Sequence, residues 1–381
     1  MGTKSRGCTP GLSLGAVAGR VAVIGAGSWG TTVASLVSSN TSTILWARSS
    51  DLAQSLRTDR CNQAYLPDIT LPEGLEATAD LAAAVSGAEL VIMAVPSHGF
   101  RAVLADLAPS VTPGTPVISL TKGLEQGSYR RMTQVVAELL PNSPAGVLTG
   151  PNLASEVIAG QPTASVVALA DQELVEWVQE LLISPHFRVY TNIDVVGCEI
   201  AGALKNVLAI AAGIADGLGF GDNTRAALIT RGLAEMARLG VELGGAVTTF
   251  GGLAGVGDLV ATCTSPKSRN RTLGEALGRG RSLDEVIADM RMVAEGVKTA
   301  RPMVDLASSY HVEMPIVEQV ADLLDGVRSP AEAIAELMQR PAAKEFPASW
   351  SRSTGLTGHT SSTRATASTR VTEPTGSTEP A

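Results

Sequence analysis

A chain of 381 residues with 45% hydrophobic residues is long enough for two domains and a sizeable core, and a net charge of −8 describes a mildly acidic globular protein. Lysine and arginine are outnumbered and aromatics make up only 3%, which excludes a nucleic-acid surface built from basic patches and stacking platforms. An anionic ligand must therefore be held by a local cluster of cations, because no general positive field draws it in.

The first elements follow in chain order. Lys4 and Arg6 precede an apolar-leaning stretch ending in Ala16-Val17-Ala18, which mimics a secretory signal but is short and broken by glycines; residues 1–19 read as a flexible leader. Arg6 stands where an N-myristoylation signal needs Ser or Thr. Val21–Ile24 is a buried strand, and Gly25-Ala26-Gly27-Ser28-Trp29-Gly30 follows it directly, ahead of the helical run from Thr31. In that context Gly25 makes the tight turn, Gly27 lets the backbone approach a pyrophosphate, and Gly30 lets helix and strand pack closely. The pyrophosphate would lie on the helix N-terminus. The second strand, Thr43–Trp46, ends in Ala47-Arg48-Ser49-Ser50, where an NAD-specific unit carries an acid. Arg48 and the two hydroxyls suit a 2′-phosphate, so NADPH/NADP is favoured and NADH/NAD remains open.

Strands are expected at Leu90–Val95, Pro116–Leu120, Val147–Thr149, Ala164–Ala168 and Phe187–Tyr190, with helices such as Tyr129–Leu140 and Asp171–Leu182 between them. Alternating strand and helix implies an α/β, doubly wound parallel sheet, a Rossmann domain over residues 20–193. Three strand ends face its crevice. One carries Pro96-Ser97-His98, the next Thr121-Lys122-Gly123 with a lysine pointing inward, and the third Gly150-Pro151-Asn152.

From Asp194 the strand signal disappears, and an all-helical domain is expected over residues 194–345. Lys205 and Asn206 interrupt a small, apolar helix that should be buried between the domains. Burial lowers a lysine's pKa, which makes it a usable acid or base. Asp258, alone in the glycine-rich run Gly251–Cys263, is a natural partner for Lys205. Ser268-Arg269-Asn270-Arg271 lies ahead of a helix beginning near Thr272 and offers hydroxyl, guanidinium and amide donors to a small phosphate. Val293-Ala294-Glu295-Gly296 is placed to close over a nicotinamide. Beyond Pro341 the chain turns Ser/Thr/Gly/Pro-rich, and residues 346–381 read as a disordered tail.

The four cysteines, Cys8, Cys61, Cys198 and Cys263, form no C-x-x-C pair, and the four histidines form no H-E-x-x-H. No metal site is expected, and this cysteine usage fits a reducing cytoplasm. No run of 18 consecutive apolar residues occurs, so no membrane span is expected.

Taken together, Gly25–Thr31, Leu120–Glu125, Ala203-Leu204-Lys205-Asn206-Val207, Leu253–Leu259 and Ser268-Arg269-Asn270 resemble, in order, the motifs of the bacterial NAD(P)-dependent glycerol-3-phosphate dehydrogenases, over about Arg20 to Arg340. The resemblance implies interconversion of dihydroxyacetone phosphate and sn-glycerol 3-phosphate, supplying the glycerophospholipid backbone. It implies that Ser28, Trp29, Arg48, Lys122, Ala154, Arg269, Val293 and Glu295 touch the cofactor. Substrate would meet Lys122, Gly150, Lys205, Asp258, Ser268, Arg269 and Asn270, with Lys205 as proton acceptor and Lys122 and Asp258 beside it in the catalytic group. Asn152 departs from the pattern, since relatives often carry Ser or Thr there.

Other readings remain open at this point. A hydroxyacid or ketopantoate-type dehydrogenase shares the layout, although Ser268-Arg269-Asn270 favours a phosphorylated substrate. A redox-sensing NADP(H) module would not need Lys122, Lys205 and Asp258 together. A methyltransferase places an acid where this chain has Arg48. A homodimer is compatible with the sequence.

Overall fold

The computed structural model describes residues 19–290, 294–341 and 345. The leader up to residue 18, the tail from residue 346 and Val293 lie outside the described residues. The described residues up to Met338 form one compact unit, and those from Gln339 belong to a second.

Ten strands occupy the first half of the chain: β1 (Val21–Ile24), β2 (Thr43–Trp46), β3 (Cys61–Asn62), β4 (Leu66–Thr70), β5 (Leu75–Thr78), β6 (Leu90–Met93), β7 (Val117–Ser119), β8 (Ala145–Thr149), β9 (Thr163–Ala168) and β10 (Phe187–Asn192). Interspersed are α1 (Ser28–Val37), α2 (Ser50–Thr58), α3 (Leu81–Val85), α4 (Ser97–Leu107), α5 (Met132–Leu139), α6 (Ala154–Ile158) and α7 (Gln172–Leu182). Eight strands form one sheet in the order β10-β9-β8-β7-β6-β1-β2-β5, and β3 and β4 form a separate hairpin. The chain starts in the middle at β1 and winds outward both ways, so the carboxyl ends of β1, β2 and β6 open a crevice where the winding reverses. Val21 and Val23 pack on one side of the sheet, Ala22 and Ile24 on the other, which is why β1 is a continuous apolar run.

The sheet is parallel from β5 through β8, and then β9 pairs antiparallel with β8. Between them residues 150–162 hold only the five-residue α6, so the chain re-enters the sheet at the edge it left instead of crossing back. The edge strand β5 escaped the sequence reading because Leu75-Glu76-Ala77-Thr78 alternates buried and exposed and carries no apolar run. Tyr129, expected to open a helix, instead has a positive φ of 58°, and α5 starts at Met132.

Every described element after Asn192 is helical: α8 (Val195–Gly217), α9 (Asp222–Glu242), α10 (Val247–Phe250), a π-turn over Leu253–Gly257, α11 (Asp258–Thr264), α12 (Arg269–Gly278), α13 (Leu283–Asp289), α14 (Glu295–Ser309), α15 (Pro315–Leu324) and α16 (Pro330–Gln339). Helix α8 is long and apolar enough to cross a membrane by length and composition, but 83% of that window is buried inside the protein. Its start is capped by Asp194, which accepts from the N–H of Gly197 at 2.8 Å. One turn further on, Glu199 accepts from the N–H of Thr133 at 2.9 Å and pairs with Arg131, which docks α8 against the start of α5. Helix α12 lies across α8 at very close range: a Cβ on Gly274 would stand 2.1 Å from the Ile210 carbonyl oxygen, and one on Gly213 2.0 Å from that of Arg271. Glycine at both crossing points lets the backbones touch, and this sets Lys205 and Asn206 against the residues that open α12.

Candidate active site

The glycine loop is shaped by what its missing side chains would strike. A Cβ on Gly30 would stand 2.0 Å from the Gly25 carbonyl oxygen, and one on Gly25 2.7 Å from that of Ala94, whereas Gly27 has nothing within 4 Å. Gly25 and Gly30 thus close the turn onto α1 and β6, and Gly27 opens outward as a cradle for a bulky anion. Asn62, fully buried on β3, donates to the Ala26 carbonyl at 3.0 Å and to the Thr31 hydroxyl at 2.8 Å, pinning the loop from behind. Ser28 donates to the Tyr65 carbonyl at 3.4 Å. Trp29 meets Phe187 edge-on at 6.2 Å, and its indole nitrogen is buried without a partner among the described residues. Ala154 opens α6 beside α1, its carbonyl accepting from Thr32 at 3.4 Å, and Arg48 stands exposed two residues beyond β2. Gly25, Gly27, Ser28, Trp29, Gly30 and Arg48 thus follow the carboxyl ends of β1 and β2, with Ala154 joined to the same helix α1 through Thr32.

A second cluster forms where the helices meet β7 and β8. The π-turn, closed by the Gly257 N–H donating to the Gly252 carbonyl at 3.1 Å, delivers Asp258 as the first residue of α11. Asp258 is 1% exposed and sits between two ammonium groups. Lys205 of α8 donates to its Oδ1 at 2.7 Å, and Lys122, just after β7, donates to its Oδ2 at 2.6 Å. Lys205 also donates to the Thr262 hydroxyl at 2.8 Å, and Lys122 to the Gly150 carbonyl at 2.9 Å. An ammonium has three N–H donors, so each lysine has two committed and one left for a ligand oxygen.

Electrostatics follow from that packing. Burial pushes the Lys122 ammonium down to about 8, with Lys205 repelling it further and Asp258 pulling the other way. Burial pushes the Asp258 carboxyl up, but the two lysines outweigh it and hold the group below the usual carboxylate range. Gly150 reaches its place at φ 127°, which glycine tolerates and other residues resist. Beside it, the Thr149 hydroxyl and both amide atoms of Asn152 are buried with no hydrogen-bond partner among the described residues. Buried polar groups are normally paired, so these orphans mark a place that a polar ligand completes.

The third set opens α12, which begins at Arg269 rather than near Thr272. Ser268 caps it, accepting from the Arg271 N–H at 3.3 Å and keeping its own hydroxyl proton. Asn270 is more committed than its sequence suggested: it donates to Asn206 at 2.9 Å and accepts from the Gly296 N–H at 3.0 Å. Asn206 in turn donates to the Lys122 carbonyl at 3.1 Å, so a relay of amides ties α14, α12 and α8 to the lysine loop. Burial pushes the Glu295 carboxyl up against the pull of Arg269, Lys205 and Lys122, which places it among these cations.

Comparison with known proteins now decides the family. The models for the N-terminus and C-terminus of NAD-dependent glycerol-3-phosphate dehydrogenase match residues 20–175 and 194–335. The chain belongs to the NAD-dependent glycerol-3-phosphate dehydrogenase family. It is 52% identical over 326 residues to glycerol-3-phosphate dehydrogenase [NAD(P)+] 2 of Sphingopyxis alaskensis, covering 86% of this chain and 98% of that protein. It is 49% identical over 330 residues to the corresponding enzyme of Thermobifida fusca, again covering 86% and 98%. A crystal structure of glycerol-3-phosphate dehydrogenase from Coxiella burnetii superposes with a TM-score of 0.82 at 40% identity, covering 85% of this chain and all of that one. This dehydrogenase uses NAD(P), and its residues fit a dinucleotide: the cradle at Gly27 is open and the Trp29 indole N–H lacks a partner.

Three residues that shape the dehydrogenase site were not singled out from sequence. Thr262 lies four residues after Asp258, one helical turn along the same face, and that spacing was a usable signal. Thr149 sits at the last position of β8, where strand ends meet ligand, and was passed over for its neighbour Gly150. Asn62 had no such signal, because only the tertiary fold brings its strand behind the glycine loop.

Proposed function

We propose that Lys205 is the acid/base group with which this enzyme interconverts dihydroxyacetone phosphate and sn-glycerol 3-phosphate, using NAD(P)H. The bound nicotinamide supplies or accepts the hydride at the C2 carbon of the substrate. Reduction also needs one proton on the C2 oxygen, and Lys205 gives it from the N–H that neither Asp258 nor Thr262 occupies. Asp258 fixes the ammonium and stabilises its charge, while Lys122 turns its own spare N–H to the same oxygen. The observation that carries this reading is one buried carboxylate shared by two buried ammonium groups.

Ser268, Arg269 and Asn270 would hold the substrate phosphate at the start of α12, and Gly150, Thr149 and Asn152 would flank its carbon chain. Glu295 and Arg269 would border the nicotinamide end of the cofactor, and Gly25, Gly27, Ser28, Trp29, Gly30, Arg48 and Ala154 the remainder. Arg48 favours NADPH because no carboxylate ends β2. The sheet half thus serves the dinucleotide and the helical half the substrate, in the cytoplasm, where the product feeds glycerophospholipid synthesis.

A second reading has its own support: Lys122, lowered to about 8, is itself a competent acid near neutral pH. Lys205→Ala and Lys122→Ala separate the two. Losing the proton donor costs roughly 10²–10⁴-fold in kcat. Under the first reading Lys205→Ala takes that loss while NADPH still binds, and Lys122→Ala loses mainly in KM. Near-wild-type kcat in a folded Lys205→Ala protein would overturn it.

A further inference from the structure

Two cations, Arg48 and Lys298, and the imidazole of His98 gather at the mouth of the dinucleotide crevice, and of these only Arg48 has a part in the reading above. Strands β2 and β6 both pair with β1, Trp46 and Met93 each lying opposite Ile24, so their carboxyl ends stand two strand spacings apart, about 10 Å. Arg48 follows the first of these ends and His98, in the opening turn of α4, follows the second. Lys298 reaches the same place from α14. Its neighbour Thr299 and the neighbour of His98, Ser97, both press on Gly123, where an added Cβ would stand 3.4 Å from the Thr299 hydroxyl and 3.1 Å from that of Ser97. Arg48 and His98 are exposed and Lys298 is half-buried.

None of the three side chains takes part in a hydrogen bond or an ion pair among the described residues. That is unusual in a chain with 37 acidic residues against 29 basic ones, where most clustered arginines are paired, as Arg101 is with Glu125 and Glu138 and Arg301 with Asp322 and Asp325. Their mutual repulsion is felt: burial, Lys298 and Arg48 together hold the His98 imidazole below its ordinary range. Like charges brought together without a counterion raise the free energy of the empty site and lower that of the site holding an anion.

We infer that Lys298 and His98 complete, with Arg48, a three-sided site for the phosphate monoester on the 2′ position of the adenine ribose, so that the discrimination between NADPH and NADH is shared by residues of β2's exit, α4 and α14. The inference rests on the reading of Arg48 given above. It adds that a residue of the helical half reads the adenine end of the cofactor. Lys298 supplies a point charge, Arg48 a planar fork of donors, and His98 a ring N–H, or a full charge when the phosphate anion draws a proton to it.

Binding of 2′,5′-ADP and of 5′-AMP, which differ only in the 2′-phosphate, tests this by calorimetry on the full chain at low, fixed ionic strength. Wild type should prefer 2′,5′-ADP strongly. Lys298→Gln and His98→Asn should each cut its affinity, Lys298→Gln by roughly tenfold as befits one charge-assisted contact, with 5′-AMP changed by less than about twofold, and Lys298→Arg should restore the preference. If Arg48→Gln erases the preference while both other variants keep it, the inference fails and the reading of Arg48 stands. Equal losses for the two ligands would assign the cluster to a part they share and overturn the inference as well. No preference in the wild type would overturn both.

Discussion

Asp258→Asn removes one negative charge from between two buried ammonium groups while keeping the shape of the side chain. The carboxylate oxygens lie 2.6 and 2.7 Å from the two Nζ atoms. A unit charge pair at about 4 Å is worth about 4 kcal/mol at an effective dielectric constant of 20, which corresponds to about three units of pKa. Lys122 stands at about 8 because attraction to Asp258 offsets part of the burial, and without it the ammonium should give up its proton below neutral pH. Lys122 and Lys205 share this carboxylate, and reduction of dihydroxyacetone phosphate needs Lys122 in its ammonium form, since its spare N–H is turned to the substrate oxygen beside that of Lys205. Log kcat/KM for reduction should therefore fall on the alkaline side of about pH 8 in the wild type. In Asp258→Asn that fall should begin at least one unit, and up to about three units, more acid. Oxidation of glycerol 3-phosphate, which needs the deprotonated amine, should be spared relative to reduction at neutral pH. Removing one partner of a buried pair costs about 3–5 kcal/mol of stability, so rates belong well below the melting temperature with folding checked by circular dichroism. An alkaline limb that stays put in a folded Asp258→Asn protein would refute the argument, because Lys122 could then not be the group that sets it.

Arg48→Asp should reverse cofactor choice, since a carboxylate there accepts from ribose hydroxyls and repels a 2′-phosphate; an unchanged ratio of kcat/KM for NADPH and NADH would show that Arg48 does not read the ribose. Arg269→Ala should raise KM for dihydroxyacetone phosphate, with a loss of about 2–4 kcal/mol in transition-state binding, and should harm turnover of dihydroxyacetone far less. Equal damage to both substrates would place the phosphate site elsewhere. Glu235 gives a stability test away from the site: it accepts from the N–H groups of Ile316 at 2.9 Å and Val317 at 3.3 Å, and burial lifts its carboxyl from 4.5 to about 7. A folded pKa raised in this way contributes stability that is present below about pH 4.5 and lost as pH rises through 7, a change of about 3 kcal/mol at most. The difference in melting temperature between wild type and Glu235→Gln should therefore vary across that window, and a constant difference from pH 4 to pH 8 would contradict it.

The parts of this enzyme legible in the sequence are those whose physics is local. A buried parallel strand must be apolar on both faces, and the Val21–Ile24 run showed it; a glycine loop between such a strand and a helix has few other uses. Lys205 stood out because a charge inside an apolar helix demands a partner, and Asp258 because a carboxylate among glycines demands a reason. What stayed hidden depends on residues far apart in the chain. The antiparallel turn into β9 reflects how little chain lies between Thr149 and Thr163, and the strand β5 is marked only by its neighbour β2.

The lysine pair shows where that line falls. Each of Lys122, Lys205 and Asp258 is conspicuous on its own, yet nothing local says that one carboxylate serves two ammonium groups. That arrangement comes from α12 lying against α8 at Gly213 and Gly274, from the π-turn that ends at Asp258, and from the Asn206–Asn270 relay that fixes the Lys122 backbone. The same relay explains why Asn270, chosen from sequence for a phosphate, has one amide hydrogen left to offer and not two. Chemistry-bearing residues are therefore readable one at a time, but the number of protons and hydrogen bonds each has free is a property of the packing.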